Sequence, residues 1–178
     1  MEKILKPLTF WSLCMSSDRL RQVAAILTRF REQVESQELR LTTIAPEERV
    51  RLKYSIADLK KDMCPYEEEY WQILADHPST TIATSEPESE VVVAEIVEKV
   101  IQLQTSRQYS DEIMAWLQKI YLEVSKPGTP ASAKLKGALS LLPPFVSLSY
   151  EAELDTERFL RKHFPTFTKW SNALAKKS

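Results

Sequence analysis

Nucleophilic and metal chemistry has few side chains to draw on in this sequence, because Cys14, Cys64, His77 and His163 are its only cysteines and histidines. A closed zinc site needs about four Cys or His ligands at short spacings, and these four are scattered along the chain. No metal is assigned. A cysteine nucleophile needs a neighbouring base or a cationic setting, yet His77 lies thirteen positions beyond Cys64 and His163 is far from both thiols in sequence. Both cysteines read as small buried hydrophobes with free thiols, which fits a reducing compartment. The densest acidic set is Glu67-Glu68-Glu69, beside Tyr66, Tyr70 and Trp71. A di-metal helical site would pair inward-facing Glu with an E-x-x-H motif, and neither histidine stands three positions after a Glu. The triplet reads as a solvated helix face. The two glycines, Gly128 and Gly137, stand apart, so no loop can bring its backbone close around a phosphate. The chain reads as a non-enzyme without a cofactor.

Charge says little about partners on average and more in detail. Lys and Arg number 24 against 25 Asp and Glu, so no general attraction to nucleic acid or anionic lipid is expected. The basic side chains Arg158, Arg161, Lys162, Lys169, Lys176 and Lys177 nevertheless form a tail without a single acid. Residues 77–90 hold Glu86, Glu88 and Glu90 and no base.

The elements that must carry these residues are helical. After the cap candidates Ser16, Ser17 and Asp18, apolar residues recur at Leu20, Val23, Leu27, Phe30, Val34 and Leu41, the alternating 3 and 4 spacing of a narrow helical seam, with Gln37 in the missing position. Pro46 opens a second helix with Glu47 and Glu48 in its first turn. Its seam continues at Leu52, Ile56, Leu59, Met63, Tyr66, Tyr70 and Ile73. Pro65 removes a helical hydrogen bond, which predicts a kink or break near Cys64. Two seams joined by a short polar turn predict an antiparallel, coiled-coil-like hairpin over residues 1–76.

Residues 77–90, rich in Pro, Ser, Thr and acid, read as a linker. A second small helical bundle is expected over 91–178. Its first helix carries Val93, Ile96, Val97, Val100 and Ile101. A second begins at a Ser110 cap and stops at Lys126-Pro127-Gly128, and a short one over 131–142 ends at Pro143-Pro144. Then Val146, Leu148, Tyr150, Ala152 and Leu154 alternate with polar residues. Strict period two argues for a strand near 145–154. A lone strand needs a partner, such as residues 80–84 or a second copy; otherwise the stretch is an irregular turn into a last helix starting near Asp155. No apolar run approaches the roughly 20 residues that span a bilayer. The N-terminal apolar stretch is interrupted by Ser12 and lacks a cleavage site. A cytoplasmic location is expected.

Residues 38–70, ELRLTTIAPEERVRLKYSIADLKKDMCPYEEEY, resemble a helical-hairpin element of multidomain bacterial regulators, found beside NACHT-type nucleotide-binding, caspase-like or pentapeptide-repeat modules. Residues 134–167, with the core LPPFVSLSYEAELDTE, are similar to sequences in such proteins, particularly from cyanobacteria. The resemblance implies an interaction module of prokaryotic signalling or conflict systems whose effector or NTPase is supplied elsewhere. The chain itself has no P-loop and no His–Cys dyad.

Two functions are expected on these grounds. The first is a non-enzymatic adaptor that self-associates or docks a protein partner through helical seams, with Tyr66, Tyr70 and Trp71 as aromatic anchors; core packing accounts for the same three. The alternative is contact with an anionic membrane surface or nucleic acid through the basic tail.

Overall fold

The computed structural model describes residues 8–77 and 86–177. Two long helices, α1 (Leu8–Leu41) and α2 (Pro46–Asp76), are followed by α3 (Glu86–Ser106), α4 (Asp111–Val124), α5 (Ala131–Ser140), α6 (Leu142–Glu151), α7 (Thr156–His163) and α8 (Pro165–Lys177). The fold is mainly α, a hairpin with further helices bundled against it, and the described residues contain no strand.

The hairpin follows from its seams. Val34 of α1 packs with Leu52 and Ile56 of α2 near the turn, and Val23 and Leu27 pack with Met63 further along. Phe30, Leu41, Leu59 and Tyr66 complete these layers from half-buried positions. The turn closes by bonds from the amides of Thr42, Thr43 and Ile44 to the carbonyls of Leu39 and Arg40, so the last carbonyls of α1 find partners. Pro46 then starts α2 with Glu47 and Glu48 in its first turn. Of the kink or break expected near Cys64, the break does not occur. α2 runs from Pro46 to Asp76 with Pro65 inside it, because packing on both sides of the helix outweighs one lost hydrogen bond.

Beyond Met63, α2 buries a second stripe, Glu67, Trp71, Leu74 and Ala75, against the C-terminal helices. Leu20, Trp71 and Leu74 share one core with Ile96 and Val100 of α3, Leu117 of α4, Leu139 of α5, Phe145 of α6 and Phe167 of α8. α2 packs on α5, α6 and α8 as well as on α1. Residues 78–85, most of the expected linker and the proposed strand partner 80–84, lie outside the described residues, and so does the side chain of Cys14. Residues 86–90, expected to be linker, are the first turn of α3.

The C-terminal helices obey their local signals. Ser110 caps α4 by accepting from the Ile113 amide. Asp155 caps α7 by accepting from the Arg158 amide at 2.8 Å. Glu95 of α3 reaches across to the free amides at the start of α8, accepting from Thr166 at 2.9 Å and Phe167 at 3.0 Å. The strand expected near 145–154 is instead α6. Pro143 and Pro144 sit in its first turn, where a proline loses nothing because those amides have no helical partner. The buried side chains are Leu142, Phe145, Val146 and Ser149, spaced 3, 1 and 3 as a helix requires. The period-two pattern of apolar residues was fortuitous, since Ser149 is in the core and Ala152 is exposed.

Candidate functional site

Tyr66, Tyr70 and Trp71 do not form an exposed aromatic patch. Tyr66 lies 5.8 Å from the Phe30 ring, and Tyr70 stands edge-on to Trp71 at 5.2 Å. Trp71 is buried and the two tyrosines are half-buried, between hairpin and body. The basic tail is likewise divided. Arg158 pairs with Glu38 of α1 at 2.8 Å, and Arg161 pairs with Glu157. Lys162, Lys169, Lys176 and Lys177 are exposed, the first on α7 and the others on α8.

The acidic triplet departs most from expectation. Glu67 is only 2% exposed. It accepts from the Tyr150 hydroxyl at 2.8 Å and from the Arg31 guanidinium at 3.3 Å. Arg31 also bonds Glu157 at 2.6 Å. Burial pushes the Glu67 carboxyl up; Arg31 and the Tyr150 bond oppose this, while Asp155 and Glu157 add to it. Glu68 accepts from the Ser147 hydroxyl. Glu69 pairs with Arg19 at 2.6 Å, and this bond holds its carboxyl below the usual range. Three consecutive side chains point in three directions, about 100° apart on a helix of 3.6 residues per turn, so each meets a different neighbour: α6 and α1, α6 alone, and α1 alone. A signal for Glu67 was present, since it stands four positions after Met63 and four before Trp71, in line with two apolar residues.

Between α2 and α6 lies a groove of about 830 Å³. Ile56, Ala57, Cys64, Pro65, Tyr150 and Leu154 supply its apolar lining. Lys53 and Lys61 stand on the α2 side, and Glu151 and Glu153 at the end of α6. None of these four takes an ion pair among the described residues. The third lysine there, Lys60, is engaged by Glu38 at 3.1 Å; burial acts to raise that carboxyl, but bonds from Arg158 and Lys60 outweigh it and hold it low. Glu153 has φ of 55°. It occupies the left-handed position that ends α6, where the Leu154 amide bonds the Ser149 carbonyl at 2.7 Å and the Glu153 amide bonds that of Tyr150 at 3.1 Å, the motif that favours glycine there. Val50 and Tyr54, 59% and 70% exposed, continue the outer face of α2 toward the hairpin tip. A second hollow, about 420 Å³, lies between α3 and α8 and is lined by Val91, Val92, Trp170, Leu174, Lys169 and Lys177.

Cys64 does not have the setting of an activated nucleophile. Burial, then the negative charges of Glu68 and Glu67, push the Cys64 thiol up to about 11, so at neutral pH it is not the thiolate that nucleophilic attack needs. His77 is thirteen helical residues away, about 20 Å at 1.5 Å per residue. His163 is bonded to the Tyr109 hydroxyl at 2.6 Å and packs on Phe159. Burial, with Lys162 and Lys99, holds it below its usual value. No cluster of three potential metal ligands occurs among the described residues, and none of their helices is long and apolar enough to cross a membrane. No protein-family model matches the chain, and neither does any curated protein or solved structure.

Proposed function

We propose that this chain is a non-enzymatic, cytoplasmic docking module, an adaptor that binds a protein partner on its helical surface. The groove between α2 and α6 carries the reading: Ile56, Ala57, Cys64, Pro65, Tyr150 and Leu154 give it an apolar lining, and Lys53, Lys61, Glu151 and Glu153 around it have no charged partner among the described residues. Counter-charges on a complementary surface would steer its encounter with such groups and fix its register on them. Val50 and Tyr54 add exposed apolar area beside it, and large exposed apolar patches favour association. The resemblance to elements of bacterial signalling proteins fits a chain whose effector lies in another domain or another protein. Light scattering at micromolar concentration, together with affinity retention of native-cell extract on the full chain, tests the reading. A strict monomer that retains nothing refutes it.

A second reading, contact with an anionic membrane surface, has one observation in its favour: Lys169 and Lys177 line the apolar hollow between α3 and α8. Salt-sensitive co-sedimentation with vesicles containing phosphatidylserine, lost in Lys169→Glu/Lys177→Glu, supports it. No binding at low salt excludes it.

A further inference from the structure

The chemistry of the groove specifies its occupant more closely than a docking module requires. Building on that docking reading, we infer that the α2/α6 groove takes one amphipathic α-helix of a partner protein, about fifteen residues long, with acidic side chains along one flank and basic side chains along the other.

Three observations lead there. The first is backbone accounting. A groove whose floor is mostly apolar favours a segment whose amides and carbonyls are already satisfied. The described residues offer no sheet edge to which an extended peptide could add a strand. A helix brings its own hydrogen bonds, so it is the form that fits. The second is length: the α2 side runs from Lys53 to Glu68, sixteen residues whose fifteen rises make about 22 Å of helix, which a partner helix of similar length covers. The third is sign. The α2 side presents Lys53 and Lys61, its one lining carboxylate, Glu68, being turned to the Ser147 hydroxyl, and the α6 end presents Glu151 and Glu153. Although they border one groove, these opposite charges do not pair with each other or with other described residues. An occupant lying between them meets cations on one flank and anions on the other.

Pro65 and Glu153 fit the same account. Pro65 cannot donate to the Lys61 carbonyl, which leaves that acceptor on a groove-lining residue without its usual helical bond. Glu153 keeps its carboxylate beside the groove although its backbone position favours glycine. Backbone strain retained at an exposed position is a reason to look for use there.

The probes are three synthetic helix-forming peptides of sixteen residues with the same apolar stripe. One has Glu along one flank and Lys along the other, one has Glu on both, and one has Lys on both. Direction is left free, since turning a helix end for end exchanges its flanks, so the mixed peptide always has one matching orientation. Fluorescence anisotropy with the full chain is expected to give the mixed peptide at least tenfold tighter binding than either single-sign peptide. In Lys53→Glu/Lys61→Glu both sides of the groove become acidic, and the preference is expected to pass to the all-Lys peptide. Circular dichroism confirms that the variant is folded; Lys53→Gln/Lys61→Gln, which should weaken the mixed peptide without creating the new preference, serves as the milder variant. Equal binding of all three peptides, or none by 100 µM, overturns the inference. A self-association of the unmodified chain that the charge reversal abolishes also overturns it, in favour of a second copy as occupant. Absence of peptide binding leaves the docking reading to stand or fall by the light-scattering and retention experiment above, so the two failures are separable.

Discussion

Replacing Arg31 by methionine tests the buried acid at the joint between hairpin and body. Arg31 is the only cation within bonding distance of Glu67, at 3.3 Å, among the described residues. Glu67 keeps just the Tyr150 hydroxyl when the guanidinium is removed. Removing one member of a buried ion pair costs about 3–5 kcal/mol, because the remaining charge is left buried. The Arg31 side chain is 36% exposed, and solvent screening reduces its contribution, so about 2–3 kcal/mol is expected for Arg31→Met. For a chain of this size that is a fall of roughly 4–12 °C in Tm, at 2–4 °C per kcal/mol. The distinguishing outcome is the double variant. Glu67→Gln keeps an oxygen to accept from Tyr150 and removes the charge that methionine strands, so adding it to Arg31→Met is expected to restore about 1–2 kcal/mol rather than cost more. The pH dependence carries the same information. Glu67 already titrates above an unfolded carboxyl, and loss of Arg31 raises it further. Its stabilising protonated form is therefore lost as pH rises through the folded-state value. Arg31→Met should gain stability on acidification from pH 7.5 to 5.5 relative to the unmodified chain, and the double variant should not. Urea unfolding followed by circular dichroism at both pH values measures all four proteins. Additive losses in the double variant, or a cost below about 0.5 kcal/mol for Arg31→Met, would refute a charged and buried Glu67.

Other variants test separate steps. Glu153→Gly removes a side chain from a left-handed position that costs an L-residue about 1–2 kcal/mol, partly offset by the greater freedom of glycine in the unfolded chain; a gain of about 0.5–1 kcal/mol in urea unfolding is expected, and a loss contradicts the φ of 55°. Pro65→Ala returns a hydrogen bond to the middle of α2, with an expected gain of about 1–3 kcal/mol; an unchanged urea midpoint would mean that α2 is not continuous there. His163, held low chiefly by burial, contributes stability that is present above its unfolded value and lost as pH falls through its folded one. Between pH 7.5 and 5 the melting temperature of His163→Gln should therefore fall less steeply than that of the unmodified chain, and parallel curves would exclude His163 as a source of acid sensitivity.

The hairpin was legible because its seams are redundant. Leu20, Val23, Leu27 and Val34 in α1, and Leu52, Ile56 and Met63 in α2, are buried as the 3 and 4 spacing requires. Errors arose where one local signal competed with a tertiary one. Pro65 argued for a kink or a break, and packing against α1 and α6 carried α2 through it without a break. Residues 145–154 alternate in polarity, but the proline pair ahead of them starts a helix, and neighbouring elements decided which face of it was buried. Ser149 could not be placed in the core from sequence because its satisfaction depends on Val146 and Thr156, to which it is bonded inside the fold.

The groove was illegible for a related reason, since its two sides lie about eighty to one hundred residues apart and only α2 carries a seam. The structure joins these sides through the acids that sequence reading left in solvent. Glu67 accepts from Tyr150, and Glu68 accepts from Ser147 and lies 3.8 Å from the Cys64 sulfur. Both tyrosine and serine belong to α6, so two successive carboxylates of α2 tie it to the same neighbour. The Tyr150 hydroxyl is thereby satisfied internally, and the residue still lines the groove. Fixing α2 against α6 in this way sets the position of Lys53 and Lys61 relative to Glu151 and Glu153. A change at the joint should consequently reach the groove: Tyr150→Phe keeps the ring but removes the tie to Glu67, and it is expected to weaken the mixed-charge peptide while leaving every charged groove residue in the sequence. Unchanged binding in a measurably destabilised Tyr150→Phe would show that the position of α6 does not depend on the buried acid.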